Sequence, residues 1–281
     1  MKFILSISFA ASILLSSCST KDKTNNTNST SSDSAKTASV KNNVPDAVVD
    51  PTIDDVKTIL ARPEVPILCY HHIRENKIGD YTVSPETFKA EMKMLADSGY
   101  KTVLPNQLYN YMAHGGPIPK KAVMITFDDT DLEQFTIGKT EMDKYGFKGV
   151  YFIMTISINR PRYMTKQQLK QLSDEGHAVE CHTWDHHRAD RYIASDWDIQ
   201  LVKPQKTIEE ITGKPIHYFA FPFGVWNQAA IPELKKRGYI MSFILSTKRD
   251  QQQPLYTVRR IIVAGQWSAP GMMRAMKGSF H

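Results

Sequence analysis

The sequence predicts an α/β protein built on parallel strands, and three observations carry that prediction. Short apolar runs over 66–70, 122–127, 150–153 and 218–221 lack the polar alternation of a half-solvated sheet, as strands covered on both faces do. Segments with helical spacing of apolar residues lie between them, such as Phe88, Met92 and Leu95. The chemically richest motifs, Thr126-Phe127-Asp128-Asp129 and His182-Thr183-Trp184-Asp185-His186, each fall directly after a strand. Repeated βα alternation implies right-handed crossovers that close into a barrel or spread into an open doubly wound sheet. Such folds place their chemistry beyond the C-terminal ends of the strands.

The elements follow in order. The strand over 66–70 ends at His71-His72. Ser84 is a natural N-cap, Pro85 suits the first helical turn, and Gly99 closes that helix. A strand over 100–103 and a helix over 105–114 precede the strand 123–127 that delivers the Asp pair. Next come a helix over 132–145, a strand over 150–153 and a helix over 165–175 stopped by Gly176. A strand over 178–181 leads into His182, and a helix over 199–212 carries Pro204, which predicts a kink. A strand over 218–221, a helix over 231–237 and strands over 241–245 and 260–263 complete the chain.

The N-terminus reads differently. Lys2 starts an apolar stretch over 3–15 that is too short to span a bilayer, followed by Leu15-Ser16-Ser17-Cys18. Small residues before a cysteine resemble a bacterial lipobox, which makes 1–17 a signal peptide and Cys18 a lipidated N-terminus that anchors the protein to a membrane of the cell envelope. Residues 18–62 read as a flexible tether, since the Ser, Thr, Asn and Lys of 19–43 bury too little apolar surface to offset ordering entropy. The remaining span, 63–281, is one domain's worth of chain. The net charge of +6 is scattered, without basic runs interleaved with aromatics, so nucleic acid is not expected as a partner. A mild positive balance suits an anionic envelope surface instead. Cys69 and Cys181 follow apolar runs and read as buried free thiols.

Asp128 and Asp129 are adjacent on extended chain, so their side chains diverge and can do different jobs: one ligates a metal, the other serves as a base. His182 and His186 are spaced so that both imidazoles share one face if the segment turns helical, as in other metal sites.

These residues resemble the polysaccharide deacetylases, the carbohydrate esterases with a NodB homology domain. The family's Thr-Phe-Asp-Asp-Gly motif matches through Asp129, with Thr130 where glycine is usual. Its His-Ser/Thr-x-x-His motif matches in full, and its aromatic-Pro-Tyr-Gly turn matches Phe221-Pro222-Phe223-Gly224. The resemblance implies a distorted (β/α) barrel, a divalent metal (zinc, with cobalt, nickel or iron as alternatives) on Asp129, His182 and His186, and Asp128 as base. It also implies an oxyanion contact from the Phe223 backbone in the turn that Pro222 opens, and a polysaccharide substrate. Three departures stand out. Thr130 adds a β-carbon that narrows the loop beside the metal. Ala220 replaces an arginine that orients the base, leaving Arg259 or Arg260 as candidates. The family's C-terminal Leu-x-His is missing. The opening Ile67-Leu68-Cys69-Tyr70-His71-His72 resembles the poly-β-1,6-N-acetylglucosamine deacetylases, whose strand order is circularly permuted and whose N-terminal histidine is the general acid. That resemblance makes His71 the acid, with His187 and His217 in reserve. Trp184, Trp226 and Trp267 are candidate sugar platforms. Peptidoglycan deacetylation, O-acetyl ester hydrolysis and a binding-only lipoprotein are the alternatives.

Overall fold

The structure is a computed structural model that describes residues 52–76, 78–245 and 248–280. Its strands in chain order are β1 (Ile67–Tyr70), β2 (His72–Ile73), β3 (Thr82–Val83), β4 (Lys101–Thr102), β5 (Ala122–Phe127), β6 (Val150–Ile153), β7 (Ala178–Cys181), β8 (Tyr218–Ala220), β9 (Met241–Ile244), β10 (Val258–Arg259) and β11 (Ile261–Ile262). Its helices are α1 (Val56–Ala61), α2 (Pro85–Asp97), α3 (Pro105–His114), α4 (Thr140–Asp143), α5 (Lys166–Asp174), α6 (Lys203–Thr212), α7 (Ala230–Lys236) and α8 (Ala269–Phe280). Every residue of β1, β5, β6, β8 and β9 is buried, the signature of strands covered on both faces.

The main sheet runs β10-β9-β8-β7-β6-β5-β1-β11, all parallel, with β4 paired to the start of β5. The two ends of this path are consecutive pieces of one segment, separated by Arg260 alone. Val258 pairs with Phe243 of β9 on one side, and Ile261 pairs with Leu68 of β1 on the other. The last strand thus switches partner at Arg260 and nearly closes a barrel with helices outside it. Because all strands run the same way, His71, Asp128, His182 and the turn after β8 emerge at one end.

Several local features follow the sequence reading. Ser84 accepts a hydrogen bond from Thr87 N–H, with Pro85 in the first turn of α2. Thr165 and Gln168 form a capping box on α5. Cys69 and Cys181 are buried free thiols on strands that do not pair with each other.

Others differ. The helix expected over 132–145 opens as a π-helix, Gln134–Lys139, before α4. The helix expected over 199–212 begins as a π-turn, Asp198–Val202, before α6. Pro204 sits in the first turn of α6, where a missing N–H costs little, and the wide turn before it replaces the expected kink. The folded body also begins earlier than Pro63. Helix α1 buries Ile59, and Arg62 donates to the Met112 carbonyl at 2.6 Å while pairing with Asp54. These are contacts to the end of α3, far along the chain, which a local reading of a polar stretch cannot register. The predicted signal peptide, Cys18 and most of the predicted tether lie outside the described residues. Among the described residues no helix is long and apolar enough to cross a membrane.

Candidate active site

The register of β1 and β5 sets Tyr70 beside Phe127, and Asp128 N–H donates to the Tyr70 carbonyl at 3.0 Å. His71 and Asp128 therefore leave the barrel side by side. The Asp128 side chain is buried and receives two parallel bonds from Arg260, Nη1 to Oδ1 at 2.7 Å and Nη2 to Oδ2 at 2.8 Å. Arg260 is itself buried, with Nη1 also donating to Thr126 Oγ1 at 3.1 Å and its guanidinium 5.2 Å from the Phe152 ring centroid. Burial alone would raise the Asp128 carboxyl. The Arg260 guanidinium, helped by His182 and His71, outweighs it and holds the group well below the usual carboxylate range. Arg260 reaches Asp128, whereas Arg259 turns to Glu64.

Asp129 takes a left-handed backbone (φ 75°) that swings its carboxylate away from Arg260. Its Oδ1 lies 3.6 Å from His182 Nε2 and 3.4 Å from His186 Nε2. Ligands of a tetrahedral zinc at about 2.0–2.2 Å stand roughly 3.3–3.6 Å from one another, so these separations suit one ion. The donor chemistry fits as well. Asp129 Oδ1 is buried and has no hydrogen-bond partner, which is a poor state for an anionic oxygen without a cation. His182 Nδ1 donates to the Ala220 carbonyl at 2.8 Å, which leaves the Nε2 lone pair facing Asp129. Burial pushes His182 down to about 3, keeping it neutral as a ligand must be. Burial and the neighbouring Asp128 charge push Asp129 up to about 7. An Asp-His-His set suits zinc, cobalt, nickel or iron.

The two histidines converge by a different route from the helix face their spacing suggested. Residues 182–187 form a loop, with Thr183 and His186 both left-handed (φ 70° and 67°). Thr183 Oγ1 accepts from His186 N–H at 2.9 Å. Gln200 takes Trp184 N–H at 3.2 Å and donates to Asp185 at 2.8 Å. Of seven left-handed non-glycine residues among those described, Asp129, Thr130, Thr183, His186 and Phe223 belong to this site, so the strain is concentrated where the ligands are aimed. Thr130 (φ 71°) is β-branched and an outlier there; its Oγ1 accepts from Met154 N–H at 2.8 Å, burying the side chain at the end of β6.

His71 is buried, with Nδ1 3.9 Å from Cys69 Sγ and its carbonyl accepting from Gln134 Nε2 at 2.8 Å. Gln134 also donates to the Asp128 carbonyl and so ties the His71 and Asp128 backbones together. Burial pushes His71 down to about 4, with Asp128 opposing and Arg260 adding to the shift. It is neutral in the free protein at neutral pH. His72 instead pairs with Asp131, which also takes Arg74.

After β8, Pro222 is buried and Phe223 is 58% exposed, its ring edge-on to His186 at 4.4 Å. Gly224 (φ 65°) is required: a β-carbon there would meet Leu245 N at 2.3 Å. The tryptophans are not exposed. Trp184 lies under the Lys203 ammonium at 4.1 Å, and Trp226 and Trp267 pack against the core. His217 precedes β8 and so sits at the opposite end of the barrel from the site, which removes it as an acid; His187 is exposed on the loop after His186. Gln134 and Tyr81, which stands edge-on to His71, carry no motif and were invisible in sequence.

The chain is similar to known proteins in sequence and in fold. Residues 115–242, which span Asp128 through β8, match the family model for polysaccharide deacetylase. The chain is 26% identical over 218 residues to YxkH of Bacillus subtilis (strain 168), a protein named as a polysaccharide deacetylase, covering 77% of this chain and 76% of that one. It is also 26% identical over 193 residues to a poly-β-1,6-N-acetyl-D-glucosamine N-deacetylase of Staphylococcus aureus (strain MRSA252), covering 64% and 66%. The fold is that of the Streptococcus pyogenes deacetylase PplD solved with acetate (TM-score 0.70, 19% identity, 76% of this chain and 99% of that one). It is likewise that of IcaB from Ammonifex degensii (TM-score 0.66, 22% identity, 77% and 98%).

Proposed function

We propose that this chain is a metal-dependent N-deacetylase of an N-acetylglucosamine-containing polysaccharide, with a poly-β-1,6-linked polymer as the favoured substrate. The observation that carries the reading is the division of labour in the Asp pair: Asp128 locked on buried Arg260, Asp129 facing two imidazoles with an unpartnered oxygen. The named S. aureus relative supports the β-1,6 choice. Asp129, His182 and His186 would hold the ion. A bound divalent cation would polarise the acetyl carbonyl and acidify a water.

The rest of the chemistry belongs to the side chains. Asp128 is ionised at neutral pH and takes the proton of the attacking water; Arg260 fixes the carboxylate plane so that its free lone pairs face the site. The Phe223 N–H is the donor for the developing oxyanion, in a turn held rigid by Pro222 and Gly224. His71, with a ring nitrogen within 4.8 Å of an Asp128 oxygen and outside the Asp129-His182-His186 set, is the group that delivers a proton to the leaving amine. Burial keeps it neutral at rest, so it gains its proton as negative charge builds beside it, the direction in which Asp128 already acts.

The proposal extends to place. Leu15-Ser16-Ser17-Cys18 supports a lipid anchor on Cys18 and a cell-envelope location. Mass spectrometry of the mature N-terminus checks it: a diacylated Cys18 is expected, and an unmodified residue elsewhere at the N-terminus refutes it.

Acetate release tests the activity. The protein, loaded with zinc or cobalt, is given β-1,6- and β-1,4-linked N-acetylglucosamine oligomers, peptidoglycan and O-acetylated xylan. Release from the β-1,6 oligomers is expected. Release from xylan alone would make the protein an esterase, and release from peptidoglycan alone would move the substrate.

A further inference from the structure

The aromatic surface of this molecule is unevenly distributed. Among the described residues, Tyr81 (53%) and Phe223 (58%) are the two exposed aromatic side chains, and each stands edge-on to a histidine of the site. Phe223 flanks His186, on the metal side. Tyr81 flanks His71, with ring centroids 5.2 Å apart and planes at 76°. An exposed tyrosine on a mobile loop would mean little, but this one is clamped. His72 N–H donates to the Tyr81 carbonyl at 3.0 Å, and Gly79 and Thr82 bridge each other across the turn at 3.2 Å. The 264–267 segment presses on that turn from outside: Gly265 N–H donates to the Gly79 carbonyl at 2.9 Å and Gln266 Nε2 to Asp80 at 2.8 Å. A β-carbon on Gly265 would meet the Thr82 carbonyl oxygen at 1.8 Å, so only glycine permits the clamp. The ring is presented to solvent by a frame built to hold it still.

We propose that Tyr81 is a sugar-binding residue that stacks on the hexosamine ring bearing the scissile amide, on the side from which His71 delivers its proton. This rests on the deacetylase reading above and adds the subsite to it. A general acid must come within about 2.6–3.2 Å of the nitrogen it protonates. That nitrogen is bonded directly to the hexosamine ring, so the ring lies within reach of whatever flanks His71 on the solvent side. Tyr81 is what flanks it. The apolar face of a pyranose covers an aromatic ring well, and a pre-positioned tyrosine loses little entropy on contact. Trp184, Trp226 and Trp267 are half-buried and Trp197 is buried, so each offers less open surface than Tyr81.

The test compares wild type with Tyr81→Ala and Tyr81→Trp on two substrates, N-acetylglucosamine oligomers and a small aryl acetate that has no sugar ring but needs the same ion, base and oxyanion contact. Oligomer affinity is read in parallel by titration calorimetry. Tyr81→Ala is expected to raise KM and Kd for the oligomer about tenfold, with aryl acetate turnover within about twofold of wild type and Tyr81→Trp close to wild type on both. Equal losses on both substrates would overturn the proposal by making Tyr81 a support for His71. Unchanged oligomer KM and Kd would overturn it outright. If wild type binds the oligomer without releasing acetate, the deacetylase reading fails while the Kd comparison still decides the role of Tyr81; if it binds no hexosamine oligomer, the platform fails as well.

Discussion

The Arg260–Asp128 pair shows how a carboxylate can be kept ionised in a dry place. Neither charge is exposed, and the fork-on-carboxylate geometry with Thr126 satisfies both Nη atoms of Arg260, leaving its Nε without a partner. Arg260→Lys keeps the charge but not the fork, and should lower turnover at least tenfold; Arg260→Leu leaves Asp128 buried and unpaired and should cost about 3–5 kcal/mol in denaturant unfolding. Wild-type stability and turnover in Arg260→Leu would contradict the pairing. Glu91 makes the opposite case. Buried beneath β1, it accepts from Tyr70 O–H at 2.9 Å, its other oxygen has no partner, and burial pushes it up to about 8. The folded protein therefore holds a proton that the unfolded chain has released between the ordinary value near 4.5 and about 8, so Glu91 erodes stability as pH rises through that window. Glu91→Gln should unfold at a higher temperature than wild type at pH 8 and lose that advantage near pH 4; a difference that does not vary with pH would refute the assignment. The sequence displayed Asp128, Asp129, His182 and His186 because their motifs are local. It left Arg259 and Arg260 undecided because the choice depends on which face of a short strand turns inward.

At the scale of elements, loops aim the ligands and strands only deliver them. His182 and His186 converge through two left-handed residues and a Gln200 brace, a conformation that a four-residue spacing cannot distinguish from a helical turn. The helices that follow β5 and β7 start as π-turns, and the first of these frees Gln134 to bind the His71 and Asp128 carbonyls. Thr130 tests how such strain is held. Its left-handed backbone costs on the order of 1–2 kcal/mol, and its bond from Met154 N–H returns about 1. Thr130→Val keeps the shape but orphans that N–H, and should destabilise by about 1–3 kcal/mol in urea unfolding. Thr130→Gly relieves the strain as it removes the bond and should fall within about 1 kcal/mol of wild type. Were valine as stable as threonine, the hydroxyl would have no part in holding the loop.

For the whole molecule, parallel strands bring distant sequence to one rim. Asp128, His182 and Pro222 follow successive motifs and were legible as strand-end residues, as was the α/β class from its unbroken apolar strands. Closure was legible through the motif resemblance, which implied a distorted (β/α) barrel, and not from strand pattern: the last strand divides its pairing between β9 and β1 at Arg260, and two-residue pieces carry no periodicity to read. The start of the body was misplaced for a related reason, since α1 is held by Arg62 and Ile59 through contacts to a remote helix. The proposed function requires this rim to hold one catalytic metal ion on Asp129, His182 and His186. The most direct measurement is metal content against acetate release, for protein stripped by a chelator and then titrated with zinc. One equivalent per chain, restoring release from N-acetylglucosamine oligomers in proportion to occupancy, is the predicted result. Undiminished release by the metal-free protein would contradict it.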